Sequence, residues 1–279
     1  MTTPARPVRA TSDDLALAVA LAAGAGDVLL LLREAHIGSG GTPLKEAGDA
    51  AAQAWLAASL ATARPDDRVL SEEAVDDPRR LEADRVWIID PLDGTREFAE
   101  RDEAAPGGWR SDFAVHVALW QRGVGLTAAA VGLPARGVVH DTGSAVAPEA
   151  SAYAGVLDGT RALRVAVSRS RPPAIVALLA ADPGVELVPM GSAGVKTVTV
   201  LDGTADAYVH AGGQYEWDSA APVAVVQAAG FVATRLDGSP LAYNRPDPYL
   251  PDLLVCHPVL HDHLRTLLEH AAARESADA

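Results

Sequence analysis

Apolar positions along this chain fall into two different rhythms, and the change from one to the other outlines the fold. From Leu15 to Glu34 the residues are apolar around most of a helical circumference, which predicts one long helix packed between layers, with Thr11 or Ser12 as its cap and Asp13 and Asp14 in its first turn. Gly38 to Gly41 ends it, and a second helix is expected from about Gly48 to Thr62. The rhythm then shortens to that of strands: Arg68 to Leu70, Val86 to Ile89, Phe113 to Trp120, Val124 to Val131 and Gly137 to Asp141, the last two joined by a Gly132-Leu133-Pro134 turn. This first half therefore reads as helices against an antiparallel sheet.

Pro148 to Thr160 is small, polar and weakly patterned, and marks a boundary between a subdomain of residues 1–150 and one of residues 151–279. Beyond it strands alternate with helices: Leu163 to Val167, Pro173 to Ala181, Val185 to Pro189, a helix after Met190, Tyr208 onward, Ser219 to Ala229, and a last helix from His257 to Arg274. Such alternation predicts an α/β arrangement. Asp76 to Arg85 reads as a solvated charged connection, and residues 99–112 as a long Gly/Pro-containing loop.

Chemistry concentrates where Val86 to Ile89 gives way to Asp90-Pro91-Leu92-Asp93-Gly94-Thr95. Two carboxylates leave one strand end together, Pro91 holds the backbone of Asp90 extended and Gly94 permits a sharp bend. Like charges that close call for a cation, and carboxylates with a backbone carbonyl, Leu92 being the candidate, suit a hard divalent ion. Thr95 adds a hydroxyl able to orient a water. Upstream, Glu72 and Glu73 follow a short strand and point to opposite sides, so one of the two can join Asp90. Downstream, Asp218 stands at a helix start, able both to cap it and to ligate metal. Met190 to Lys196 leaves a strand and enters a helix through Gly191 and Ser192, where free N–H groups suit an anion. His116 reads as a sheet residue, because this chemistry calls for oxygen donors.

The run Ile89 to Thr95, with Glu72-Glu73 before it and Glu216-Trp217-Asp218-Ser219-Ala220-Ala221 after it, resembles the inositol monophosphatase superfamily of metal-dependent phosphatases. Leu92 with Arg96-Glu97-Phe98, and Glu216 before Trp217, make it most similar to the bisphosphate nucleotidase (CysQ-type) branch. The resemblance implies a layered α/β/α/β/α sandwich of two subdomains, classed between α+β and α/β. It implies two or three Mg²⁺ held by Glu72, Asp90, the Leu92 carbonyl, Asp93 and Asp218, lithium sensitivity, and a part in sulfur assimilation. The implied reaction is removal of the 3′-phosphate from 3′-phosphoadenosine 5′-phosphate by a metal-activated water, with Glu72, Asp90, Asp93, Thr95 and Asp218 catalytic. Substrate contacts are expected from Asp93, Gly94, Thr95, Gly191, Ser192, Lys196, His210 and Asp218, with Lys45, Asp49 and Glu73 accessory.

The likeness departs in two places. Aligning Asp49 with the family's first aspartate puts Ala52 and Trp55 where a water-activating Thr and Asp are usual, so Asp49 or Glu72 must take that role. The acid that holds a ring hydroxyl in the inositol branch falls here on His210 or Ala211. An inositol-1-monophosphatase or sugar-phosphate phosphatase is the alternative enzyme reading, and a non-catalytic phosphometabolite-binding protein the other.

Composition narrows the partners. A formal charge of −14 disfavours nucleic acid polymers and anionic membranes, and would repel the small phosphorylated metabolite that the resemblance implies as partner unless bound cations reverse the local sign. Lys45 and Lys196 are the only lysines and both lie beside motifs. The single cysteine, Cys256, permits no intrachain disulfide and fits a cytoplasmic setting. Arg6 and Arg9 precede an apolar run, but Asp13, Asp14 and Asp27 interrupt it, so no transmembrane segment is expected. A homodimer is compatible with the resemblance.

Overall fold

The computed structural model describes residues 13–36, 41–170 and 172–278. Helices α1 (Asp14–Ala35) and α2 (Thr42–Ala63) cover one face of a five-stranded sheet of order β1-β2-β3-β4-β5. Its strands are β1 (Arg68–Ser71), β2 (Arg85–Asp93), β3 (Ala114–Gln121), β4 (Gly125–Leu133) and β5 (Val138–Asp141), and the one-turn helix α3 (Thr95–Phe98) follows β2. β1 runs parallel to β2 and the other pairs are antiparallel, so the sheet is mixed rather than antiparallel throughout. After the short α4 (Ala154–Leu157), a second sheet of order β7-β6-β8-β10-β9 is built from β6 (Leu163–Ser168), β7 (Val185–Met190), β8 (Ala207–Tyr215), β9 (Val232–Thr234) and β10 (Tyr249–Cys256).

Helices α6 (Ala193–Val198) and α7 (Glu216–Ala228) lie between the sheets, and α5 (Ala174–Leu179) and α8 (His261–Asp278) cover the far face of the second. The layers therefore run α/β/α/β/α. Alternation along β3 shows why: Val115, Val117 and Leu119 face α1 and α2, while Ala114 and Ala118 face α7. Small residues on the α7 side let the middle helix approach. On the other side Leu17, Leu21 and Leu29 of α1 are wholly buried, each worth about 2 kcal/mol.

Several local expectations shift. α1 belongs to an outer layer, with Ala23, Asp27 and Leu31 in solvent, rather than lying between two layers. Its cap is Asp13, whose carboxylate accepts the N–H groups of Leu15 and Ala16; Thr11, Ser12 and Gly38 to Gly40 lie outside the described residues. Among those residues α1 is long and apolar enough to cross a bilayer, but here it packs on β3, β4 and α2. α2 starts six residues before Gly48, with Pro43 in its first turn, so Asp49 sits inside the helix and not at its cap. Arg80 is fully buried, contrary to a solvated connection; its guanidinium binds Asp76, the Asn244 side chain and the Arg245 carbonyl.

Candidate active site

β2 does not stop at Ile89; it runs through Pro91 to Asp93 with a bulge against β3. Asp90 pairs with His116 and Asp93 with Ala114, so two residues of β2 face one of β3. Residues three apart in a regular strand point to opposite faces, and one extra residue reverses that. The bulge accordingly turns Ile89 and Leu92 both toward α1 and α2. It turns Asp90 and Asp93 both toward the middle layer, where they meet Asp218 of α7. Proline is tolerated there because a bulge needs no ladder N–H. Gly94 follows at φ +86, where an added Cβ would stand 3.1 Å from the Asp112 carbonyl oxygen.

Asp90, Asp93 and Asp218 offer carboxylate oxygens all within 4.8 Å of one another, at the floor of a cleft of about 770 Å³. Glu72, Leu92, Gly94, Thr95, Gly191, Ser192, Lys196 and His210 line the same cleft. The carboxylates differ in what they touch. Asp90 Oδ1 accepts the Leu92 N–H at 3.0 Å, whereas its buried Oδ2 has no hydrogen-bond partner. Burial, then the charges of Glu72 and Asp93, push its pKa well above the usual carboxylate range. Asp218 takes the Tyr215 N–H at 2.6 Å; burial and the charge of Asp93 raise it to about 6. Burial opposes ionisation of Asp93 too, but His116, Lys196 and Ser192 outweigh it and hold Asp93 below its ordinary value. Glu72 stands exposed at the rim, yet partial desolvation and the charges of Asp218 and Asp93 raise it to about 7.

These three carboxylates could hold a cation. Three carboxylates at such range repel by roughly 3 kcal/mol per pair even at an effective dielectric of 20, and the unpartnered Asp90 Oδ2 is a buried acceptor with nothing to accept. Oxygen-only donors fit a hard divalent ion. The Leu92 carbonyl, also turned into the cleft, accepts the Thr95 hydroxyl at 3.1 Å and keeps a second lone pair.

His116, read from sequence as an ordinary sheet residue, belongs to this cluster. It is fully buried, with Nδ1 3.0 Å from the Trp217 carbonyl and Nε2 3.2 Å from Asp93 Oδ2. Burial disfavours its cation, but Asp93 prevails and raises its pKa. The donors expected for phosphate at Gly191 and Ser192 are already engaged. The Gly191 N–H goes to Asp112 at 2.6 Å, and the Ser192 hydroxyl goes to Asp93. The Ala193 and Gly194 N–H groups also bind Asp93, so the anion at the start of α6 is a side chain of this chain. Buried Lys196 donates to the Ser192 carbonyl at 2.6 Å, and His210 Nε2 lies 2.9 Å from the Gly213 carbonyl.

Asp49 is placed at the site by α2. Its Oδ1 lies 3.3 Å from the Thr95 hydroxyl, competing with the Leu92 carbonyl for that one hydrogen, and burial followed by the charge of Glu73 raises its pKa to about 6. Ala52 and Trp55 lie in the core beneath α1 instead, so a Thr–Asp pair exists but is made by Thr95 with Asp49. Lys45, half-buried on α2, adds a cation near Asp49. Glu73 remains exposed; its N–H, not its carboxylate, is the bonded group, donating to Ser71 Oγ at 3.3 Å. Asp112 and Arg80 are buried but carry no motif signal in the sequence, and Glu216, read there as part of a motif, is buried with its carboxylate accepting the N–H groups of Asn244 and Arg245.

A sequence model described as the Inositol monophosphatase family matches residues 11–273. This chain belongs to the inositol monophosphatase family. Among its relatives, the 3′-phosphoadenosine 5′-phosphate phosphatase of Mycobacterium bovis is 54% identical over 83% of this chain and 84% of that protein. The protein of the same name from Mycobacterium leprae is 49% identical over 90% and 92%. Staphylococcal IMPase-II, solved with 2′AMP bound, superposes with a TM-score of 0.73 at 20% identity, covering 94% of this chain and 97% of that one. The last likeness shows the shared layered fold.

Proposed function

We propose that this inositol monophosphatase family member is a Mg²⁺-dependent phosphomonoesterase that removes the 3′-phosphate of 3′-phosphoadenosine 5′-phosphate. The carrying observation is the trio Asp90, Asp93 and Asp218 around an unsatisfied carboxylate oxygen at the cleft floor, with the Thr95–Asp49 pair beside it. Roughly 50% identity to the mycobacterial phosphatases over most of both chains supports the substrate. Asp90, Asp93, Asp218, Glu72 and the Leu92 carbonyl would hold the ions. Bound Mg²⁺ supplies positive charge for the phosphoryl oxygens and lowers the pKa of water.

The chain's own residues do the rest. Asp49, half-buried and poised near neutrality, shares the single Thr95 hydroxyl hydrogen with the Leu92 carbonyl; with that carbonyl engaged by a cation the hydrogen would pass to Asp49, leaving the Thr95 oxygen to accept from a water in the cleft. Asp93 fixes α6 against β2, and His116 neutralises the excess charge that this carboxylate brings. Lys196 and Arg96 place cations in the cleft wall among its carboxylates. Lone, buried Cys256 accords with a reducing, cytoplasmic setting. Phosphate release measured with and without Mg²⁺ tests the reading on 3′-phosphoadenosine 5′-phosphate, inositol 1-phosphate and fructose 1,6-bisphosphate. Mg²⁺-dependent turnover fastest on the nucleotide supports it; a clear preference for either of the others rejects it.

A further inference from the structure

We propose that the end of β8 and the first turn of α7 form a purine-base subsite, in which Tyr215 and Trp217 supply the stacking wall and Gln214 reads the base edge. The proposal deepens the phosphatase reading and rests on it. Tyr215 and Trp217 both line the carboxylate cleft, with ring centroids 4.8 Å apart and planes only 10° from parallel. Tyr249 meets Tyr215 edge-on at 5.9 Å, bracing it from outside the cleft lining. Tyr215 stays 45% exposed, so its ring is accessible to a ligand in the cleft. Its backbone N–H binds Asp218 Oδ2, so the ring lies one side chain away from the cation site, a span that suits the base and 3′-phosphate of one nucleoside.

Gln214 gives an independent pointer. It is 6% exposed and lines the same cleft, yet neither its Oε1 nor its Nε2 has a hydrogen-bond partner. A buried amide with both ends unmet is unusual and costly. As a lining residue of the cleft it offers one acceptor and one donor, the pair that matches the exocyclic amine and adjacent ring nitrogen of adenine. Inositol and sugar phosphates offer neither a flat face for the rings nor that donor–acceptor spacing. Gly212 leaves the neighbouring wall open, with no heavy atom near the place a Cβ would take.

Calorimetric titration of the Mg²⁺-loaded protein with 5′-AMP, 5′-IMP and inorganic phosphate tests the subsite. Tyr215→Ala should weaken 5′-AMP about tenfold, the loss expected for one base–aromatic stack, and leave inorganic phosphate within about twofold. Gln214→Met should weaken 5′-AMP and erase its advantage over 5′-IMP. Equal weakening of 5′-AMP and phosphate, or unchanged 5′-AMP affinity in Tyr215→Ala, overturns the proposal. Tyr215→Leu serves as a second exposed substitution, with phosphate binding as the control for an intact site. Failure of the phosphatase reading would look different: 5′-AMP binding dependent on Tyr215, with no phosphate released from any monoester.

Discussion

Asp218→Asn separates charge from shape at the cation site. The amide oxygen can still accept the Tyr215 N–H that Asp218 holds at 2.6 Å, so the start of α7 is kept. One negative charge leaves a trio packed within 4.8 Å. In the metal-free protein burial and Asp93 raise the Asp218 pKa from 3.8 to about 6. A pKa raised by folding contributes stability that is fully present below the unfolded value and lost as pH rises through the folded one. Asp218 therefore costs the metal-free fold up to about 3 kcal/mol above pH 6, roughly 6 °C in Tm for a chain of this size. Metal-free Asp218→Asn should melt above metal-free wild type at pH 7.5 and match it near pH 4. Saturating Mg²⁺, which stabilises through its affinity for the folded state alone, should raise the wild-type Tm and raise the variant far less, while turnover falls by at least about 10³-fold. Scanning calorimetry with chelator or Mg²⁺ at both pH values decides it. A metal-free variant less stable than wild type at pH 7.5, or one that keeps the full Mg²⁺ response, would refute the assignment of Asp218 as a cation ligand.

Asp49→Asn and Thr95→Val should each lower kcat by about 10²-fold without moving the Mg²⁺ half-saturation, and the double variant should lose little more; losses that multiply would separate the two residues functionally. Gly194→Ala places a Cβ 2.0 Å from His116 Nε2 and should cost about 2–3 kcal/mol in urea unfolding, whereas an unchanged midpoint would mean that His116 moves freely. Arg80→Met leaves the buried Asn244 side-chain oxygen and the Arg245 carbonyl without their donor and should destabilise by about 2 kcal/mol; a loss under about 0.5 kcal/mol would show the buried guanidinium to be dispensable. Lithium at millimolar concentration should inhibit turnover in competition with Mg²⁺, and activity indifferent to it would argue against a small hard-cation site.

Local pattern was enough to place Asp90, Asp93 and Thr95 in one short stretch, to forecast strands through Val86 to Ile89 and Phe113 to Trp120, and to see the later α/β alternation, though not that the first of these strands continues to Asp93. Those features depend on residues a few positions apart, where periodicity and turn chemistry act directly. The start of α2 was less legible because Thr42-Pro43 is as much a turn signal as a helix start. Burial of Arg80 was invisible, since a charged run looks solvated until Asn244, 164 residues away, closes over it.

Tertiary structure alone decided which way the groups face. A one-residue bulge against β3 put Asp90 and Asp93 on the same side, and a middle-layer helix more than a hundred residues later brought Asp218 to them. The same packing set Asp49 against Thr95, joined His116 to Asp93, and spent the Gly191 and Ser192 donors on Asp112 and Asp93. The residue types capable of binding a hard cation were thus fixed by the sequence. Whether each lone pair points at the cleft or at a neighbour is fixed by register and layer packing, because a hydrogen bond or ligand contact depends on a few tenths of an ångström that no local pattern specifies.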